Sequence, residues 1–93
     1  MTPEGKIQTS IVRYGKSQGF WVLRFEVMSM AGFPDLLLLG HGRIAFIEVK
    51  RPGKKPTKLQ FKRLDQISEH DIPAIWCDNI NDAKEFIDGI KPK

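Results

Sequence analysis

The sequence has few of the features that mark secreted or membrane proteins. Only one cysteine occurs among the 93 residues, which excludes an internal disulfide and a cysteine-rich zinc site. No apolar run approaches the roughly 18–20 residues that a membrane span needs. The first six residues lack the charged-then-apolar layout of a signal peptide. We therefore expect an intracellular protein in a reducing compartment, without a membrane partner.

The chain has too few residues for two domains and too many apolar ones for a disordered segment. With 93 residues, 41% of them hydrophobic and 28% charged, it predicts one folded domain over residues 1–93. A chain of this length buries only about 60–65% of its unfolded surface. Because such a core is small, a partner subunit would help, and the aromatic segment 20–27 favours a homodimer.

Acidic residues are nearly missing from one stretch of the chain. Residues 43–63 contain eight basic residues and one acid, Glu48, whereas residues 64–90 contain seven acids and one base, Lys84. A chain divided in this way presents a positive patch to a polyanion, and nucleic acid is the most common such partner. The alternative is a solvated basic loop without a ligand.

The pattern of apolar residues predicts a mixed sheet flanked by helices, in the order α-β-β-β-α-β-α. Thr2 and Pro3 begin a helix that ends near residues 15–19. A capping box from Thr57 to Gln60 opens a second helix. A third follows from the apolar spacing between Ala83 and Ile90.

The strands are predicted from aromatic, β-branched and continuous apolar segments. The second and third form a hairpin of central strands that we expect to be covered on both faces. The four segments are residues 20–27, 36–39, 44–47 and 75–77.

Polar residues follow directly on the two apolar central strands. Asp35 starts the first strand of the hairpin, and Glu48 and Lys50 end the second. Residues two apart on a strand share a face, so two carboxylates and an ammonium group should meet at one end of the hairpin. The alternative is a Glu48–Lys50 ion pair, with Asp35 a turn residue after Pro34.

A divalent cation would stabilise such a group, because unpaired buried ions are costly. Asp35 and Glu48 offer the hard oxygen ligands that suit Mg²⁺, and the Val49 carbonyl offers another. Lys50 would lie beside the metal, where it orients or deprotonates a water or offsets charge on the phosphorane.

At these positions the chain resembles the virus-type replication–repair nuclease (VRR-NUC) domains of the PD-(D/E)xK superfamily. The matching residues are 32–36, 47–50, Gln60 and the helical acid Glu4. The resemblance implies a restriction-endonuclease-like α/β fold and Mg²⁺- or Mn²⁺-dependent phosphodiester hydrolysis. It also implies a homodimer acting on branched DNA in the cytoplasm or nucleoid of a bacterial or phage-infected cell, and a role in DNA repair.

Two further polar residues fall on inward helix faces. Gln60 precedes Leu64 by four residues, so its amide needs a buried partner, either the metal-site groups, the scissile phosphate or the backbone. Glu4 shares a face with Ile7 and is a candidate metal ligand. Its alternative role is to stabilise the first turn of the helix.

The basic residues near the predicted site are candidates for contacts with the phosphate backbone, which give salt-dependent affinity without sequence information. Solvated lysines are the alternative. The candidates are Arg24, Arg51, Lys54, Lys55, Lys58 and Lys62.

The residues predict a metal-dependent DNA endonuclease, and the resemblance implies that it is structure-selective and cuts branched DNA such as four-way junctions. Asp35, Glu48, Lys50 and Gln60 would be catalytic, and Glu4 and Val49 would complete the metal ligands. The alternative is a DNA-binding module that keeps the fold but does not cut. An enzyme acting on RNA also stays open, since nothing in the sequence reads a 2′-hydroxyl.

Overall fold

The computed structural model describes residues 1–92 and has the predicted order of elements. Three helices and four strands make up the fold. They are α1 Pro3–Ser17, β1 Trp21–Arg24, β2 Leu36–Gly40, β3 Arg43–Val49, α2 Lys58–Ser68, β4 Ala74–Cys77 and α3 Ile80–Ile90.

Side-chain caps explain where the helices begin. The Thr2 hydroxyl accepts the Gly5 N–H at 3.0 Å at the start of α1, and Asn79 caps α3 in the same way. At α2 the capping box is complete, because Thr57 accepts the Gln60 N–H while the Gln60 side chain accepts the Thr57 N–H. These contacts satisfy backbone donors that have no partner within the helix. The predicted starts of α1 and α2 are therefore confirmed, whereas α3 begins at Ile80, three residues before the predicted span Ala83–Ile90.

The four strands form one sheet in the order β1-β2-β3-β4. The first two pairings are antiparallel and the β3–β4 pairing is parallel. The β2–β3 hairpin closes through His41 and Gly42, whose φ angles are 55° and 73°. Positive φ at both central residues is typical of a two-residue type I′ turn. Thus β2 and β3 are the central strands, as predicted.

One face of the sheet is closed by α1 and α3, and we call it the closed face. Its side chains belong to the main apolar core, in which Ile11 of α1 and Ile87 of α3 are fully buried. At Gly15 a Cβ atom would come within 2.6 Å of Val22, so this glycine permits the close approach of α1 to β1. The strand residues of this core are Leu36, Leu38, Ala45, Ile47, Val49 and Cys77.

The opposite face, which we call the open face, is covered only in part. Helix α2 packs there against β4, where the Phe61 and Trp76 rings meet edge to face with centroids 6.2 Å apart. Beyond α2, Trp21 is 65% exposed and Ile44 is 44% exposed. The prediction that the central strands are covered on both faces is therefore correct only in part. Leu37, Leu39 and Phe46 are half-buried on this face, whereas Ile44 is exposed. A single short helix, set over the β4 side, does not reach across the sheet.

Strand β1 is shorter than the predicted segment 20–27. It ends at Arg24, and only the Phe25 N–H extends the pairing, by donating to the Asp35 carbonyl at 3.1 Å. The Phe25 ring packs against Phe33 and Phe46 in an aromatic cluster. Phe25 thus belongs to this aromatic cluster rather than to a longer strand.

The single cysteine is buried in the core. Cys77 is 1% exposed, and burial raises the pKa of its thiol to about 11. It is a residue of the apolar core. No helix within residues 1–92 combines the length and apolarity that a membrane crossing requires.

Candidate metal centre

Hairpin register places Asp35 and Glu48 side by side. Leu36 pairs with Ile47, so one further step brings Asp35 opposite Glu48. Glu48 lies on the open face, because it falls between Ile47 and Val49, which face the core, and neighbouring residues on a strand alternate between faces. Asp35 lies just before β2, and its side chain reaches Gln8 of α1. Val49 points into the core with no exposed surface. The two carboxylates therefore lie at the end of the hairpin away from its turn.

Glu48 is the one charged residue in the buried part of the described chain, with 2% exposure. Its Oε2 lies 3.4 Å from the Lys50 ammonium and accepts the Gln60 amide at 3.4 Å. Its Oε1 is buried and has no hydrogen-bond partner among residues 1–92. An unsatisfied buried carboxylate oxygen is costly and requires an explanation.

The environment of Glu48 favours its neutral form. Burial and the neighbouring Asp35 carboxylate raise the pKa of Glu48 from 4.5 to about 8, and the Lys50 ammonium opposes this rise. Desolvation is the largest cause, because a low-dielectric site disfavours the charged form. The pair of acids therefore retains a proton at neutral pH unless a cation replaces it.

Asp35 is held through one of its oxygens. Its Oδ2 accepts the Val49 backbone N–H at 3.3 Å and lies 3.5 Å from the Gln8 amide nitrogen. The sequence analysis did not identify Gln8. Its spacing contained a signal, since Gln8 is four residues after Glu4 and three before the buried Ile11, which puts it on the same side of α1.

Gln60 contacts two of the three partner types proposed for it, the backbone and a metal-site group. Its Oε1 accepts the Thr57 N–H at 2.9 Å, and its Nε2 donates to Glu48. The capping box thus fixes the start of α2 and also aims an amide donor at the buried carboxylate. One residue links the helix end to the candidate site.

Glu4 is not brought into this group. It lies half-buried in the first turn of α1, one turn before Gln8. Among residues 1–92 no three His, Cys, Asp or Glu side chains come together as a metal-binding group. The ordinary helix rise of roughly 1.5 Å per residue separates Glu4 from the position that contacts Asp35. Its role as a ligand stays a prediction.

The donor set nevertheless fits a hard divalent cation. Asp35 and Glu48 supply carboxylate oxygens, and the unpartnered Glu48 Oε1 is a buried acceptor that a cation would satisfy. Mg²⁺ is often held by one or two carboxylates, with waters and substrate phosphates as the other ligands. Two protein carboxylates are therefore enough for a site of this kind.

Solved structures share this fold. One, described as "VRR_NUC domain", matches with a TM-score of 0.88 and 22% identity, over 98% of this chain and 100% of that one. Another, described as "VRR_NUC domain protein", matches with a TM-score of 0.77 and 18% identity, over 96% and 88%. The chain has the VRR_NUC fold. No family model matches the sequence, and no curated protein matches it significantly.

In this VRR_NUC fold a basic loop connects β3 to α2 directly beside the two acids. The Lys50 N–H donates to the Cys77 carbonyl at 2.8 Å, and the Gly53 N–H donates to Asp78 at 3.0 Å. These bonds tie the loop to the end of β4. The basic residues in and after the loop are all exposed, namely Arg51, Lys54, Lys55, Lys58 and Lys62.

Arg24 lies apart from that loop. It ends β1, and its guanidinium donates to the Gln8 side chain and to the Thr9 hydroxyl, each at 3.3 Å. The five residues that line the cavity next to it, about 430 Å³ in volume, are Gln8, Arg24, Phe25, Glu26 and Asp35. Arg24 is therefore attached to α1 next to the candidate metal centre.

Proposed function

We propose that this protein is a metal-dependent, structure-selective DNA endonuclease, formed by one domain over residues 1–93. The observation that supports it most is the buried, unpartnered Oε1 of Glu48 beside Asp35 and Lys50. A protein that only binds DNA has no need of a desolvated carboxylate pair, which costs stability. The VRR_NUC fold agrees with this proposal.

The metal, Mg²⁺ or Mn²⁺, would act as a Lewis acid that polarises the phosphodiester and stabilises the leaving oxygen. Asp35, Glu48 and the Val49 carbonyl would hold it. The Lys50 ammonium is 3.4 Å from Glu48 and would therefore lie close to a metal held there. From that position it would offset the negative charge that develops on the phosphate during in-line attack by water. Gln60 would keep Glu48 in place through its amide.

The basic loop would bind the DNA backbone. Its lysines and arginine are exposed, and the loop directly follows β3, the strand that carries Glu48. The acidic residues 64–90 lie beyond them in the chain. Contacts of this kind neutralise phosphates and carry no base information. They agree with an enzyme that selects a DNA shape, such as a four-way junction.

A homodimer would complete the proposal. The apolar side chains of the open face, including Trp21 at 65% and Ile44 at 44% exposure, offer a surface that a second copy would cover. Symmetric dimers pair one patch with itself. Two sites related by a twofold axis would suit paired cuts across a four-way junction.

A cleavage panel tests the activity directly. Four-way junction, flap, nicked, duplex and single-stranded DNA are incubated with the protein in Mg²⁺, in Mn²⁺ and in EDTA. We expect cleavage of a branched substrate with either metal and none in EDTA. Asp35→Asn and Lys50→Ala should each lower the rate by about 10³-fold or more while DNA binding is kept.

Matched variants away from the site control for general damage. Asp65→Asn on α2 and Lys84→Ala on α3 change the same residue types and should leave the rate near that of the wild type. Binding of branched DNA without cleavage in any metal would reject the endonuclease and support the non-cleaving DNA-binding module. Cleavage of the equivalent RNA alone would reject DNA as the substrate.

A further inference from the structure

Each of the two acids has a glutamine partner, and only one of these was expected. Gln60 on α2 donates to Glu48 at 3.4 Å, and Gln8 on α1 reaches Asp35 at 3.5 Å. The two glutamines approach from different helices and each contacts one carboxylate. This arrangement gives Gln8 a place in the site that corresponds to that of Gln60.

The orientation of each amide is fixed by a donor at its other end. For Gln60 the donor is the Thr57 backbone N–H, at 2.9 Å from Oε1. For Gln8 it is the Arg24 guanidinium, whose Nε donates to Oε1 at 3.3 Å. If the Gln8 amide flipped, its NH₂ group would face the guanidinium, donor against donor. Arg24 therefore forces the NH₂ group of Gln8 toward Asp35.

Arg24 is itself anchored on α1. A second guanidinium nitrogen donates to the Thr9 hydroxyl at 3.3 Å, so the planar fork is held at two points on neighbouring residues. The chain of contacts runs from β1 through α1 to the residue that precedes β2. Asp35 lies outside the regular strand, and this chain supplies side-chain support at that position.

We infer that Gln8, held by Arg24, is a positioning residue for Asp35. The two donors, Gln8 and the Val49 N–H, both engage Oδ2, which leaves Oδ1 to face a cation. This inference rests on the proposed function, because it assigns Asp35 to the metal. It also gives Arg24 a task other than the predicted DNA contact.

Mn²⁺ affinity of the DNA-free protein tests the inference, measured by calorimetry and by electron paramagnetic resonance. Partners that orient metal ligands are typically worth about 10- to 100-fold in affinity, and we expect Gln8→Leu to weaken Mn²⁺ binding by about tenfold. Cleavage at saturating Mn²⁺ should return to near the wild-type rate, because Asp35 itself is unchanged. Circular dichroism confirms that each variant is folded.

A double-mutant cycle assigns the role of Arg24. If Arg24 acts through Gln8, then Arg24→Ala weakens Mn²⁺ binding in the wild-type chain but has no further effect in the Gln8→Leu chain. If Arg24 only contacts DNA, its replacement weakens DNA binding in both chains and leaves Mn²⁺ affinity unchanged. Gln66→Leu is the matched control, since Gln66 also pairs with an arginine, Arg63, at 2.9 Å but away from the acids.

The outcomes separate this inference from the proposed function. Unchanged Mn²⁺ affinity in Gln8→Leu, in a wild type that cuts DNA, overturns the inference alone. A wild type that binds Mn²⁺ but cuts no nucleic acid overturns the proposed function, and the cycle still decides the role of Gln8. A wild type that binds no Mn²⁺ overturns both.

Discussion

The two faces of strand β3 differ sharply over a few residues. On the closed face Ile47 and Val49 have no exposed surface and pack into the core. On the open face, between them, Glu48 is just as deeply buried but is a carboxyl group with an unpartnered oxygen. The same degree of burial therefore stabilises the fold on one face and opposes it on the other.

This contrast separates the stability of the fold from the chemistry of the site. Burial of an apolar side chain removes hydrocarbon from water and lowers the free energy of the folded state. Burial of Glu48 removes a charge from water and raises its pKa. Residues that cost stability without contributing to packing are typical of functional sites.

The largest expected effect compares two isoleucines of β3. Ile47→Ala on the closed face should lower the free energy of unfolding by about 3 kcal/mol, because it leaves a cavity in a packed core. Ile44→Ala on the open face should cost under about 1 kcal/mol, since Ile44 is already 44% exposed. Urea unfolding measures both. Equal losses would show that the open face is covered in solution by something that also stabilises the fold.

The second prediction is a substitution that should raise the free energy of unfolding rather than lower it. When the pKa of a carboxyl group is higher in the folded state than in the unfolded state, ionisation of that group destabilises the fold. The free energy of unfolding should therefore fall as the pH rises from 4.5 to about 8. Glu48→Gln removes this cost and should stabilise the metal-free protein at pH 8 by on the order of 1–3 kcal/mol. Thermal unfolding in EDTA measures it.

The exposed Glu26→Gln is the control for Glu48→Gln and should change the unfolding temperature little. The Glu48 variant should also bind Mn²⁺ more weakly, so that its gain in stability shrinks when metal is added. A Glu48→Gln protein that is less stable than the wild type in EDTA would show that the carboxyl group is satisfied in the native state.

A smaller effect concerns the pH dependence of metal binding. Because the pKa of Glu48 is raised to about 8, a cation must displace a proton below that pH. Mn²⁺ affinity should then rise with pH by up to about tenfold per unit and level off above pH 8. Calorimetry in buffers of different ionisation enthalpy counts the released proton. Affinity independent of pH between 6 and 8 would contradict the assignment of Glu48 as a ligand.

The smallest effect on stability should come from Trp21. It is 65% exposed, so Trp21→Ser should change the unfolding free energy of the isolated chain by no more than about 0.5 kcal/mol. The same change should convert a homodimer to a monomer in sedimentation velocity experiments, whereas Trp21→Phe should keep the dimer. A wild type that is monomeric at high concentration would reject the dimer and leave the open face without an assigned partner.

Local signals accounted for much of the fold. The capping box of Thr57 and Gln60 and the Gly-rich hairpin turn act over a few residues, so the sequence predicts them well. The end of β1 could not be predicted in this way. Phe25 packs against Phe33 and Phe46, which are distant in the sequence, so its aromatic ring does not indicate a strand. The exposure of the open face depends on how much of the sheet α2 covers, and no local sequence pattern predicts that.

The candidate site shows the same division. The proximity of Asp35 to Glu48 followed from counting residues along a hairpin, because strand register is regular. Gln8 did not follow, since its contact with Asp35 depends on the angle at which α1 crosses the sheet. Spacing along the sequence identifies which residues share an element, but contacts between elements depend on packing.

The tight turn at His41 and Gly42 has a consequence at the far end of the hairpin. Those two residues fix the pairing of Leu36 with Ile47, and through it the gap between the acids. One residue inserted in that turn would slip the register and send every later side chain of one strand to the other side of the sheet. A bend that contacts no ligand thus sets the spacing of the groups that would hold one.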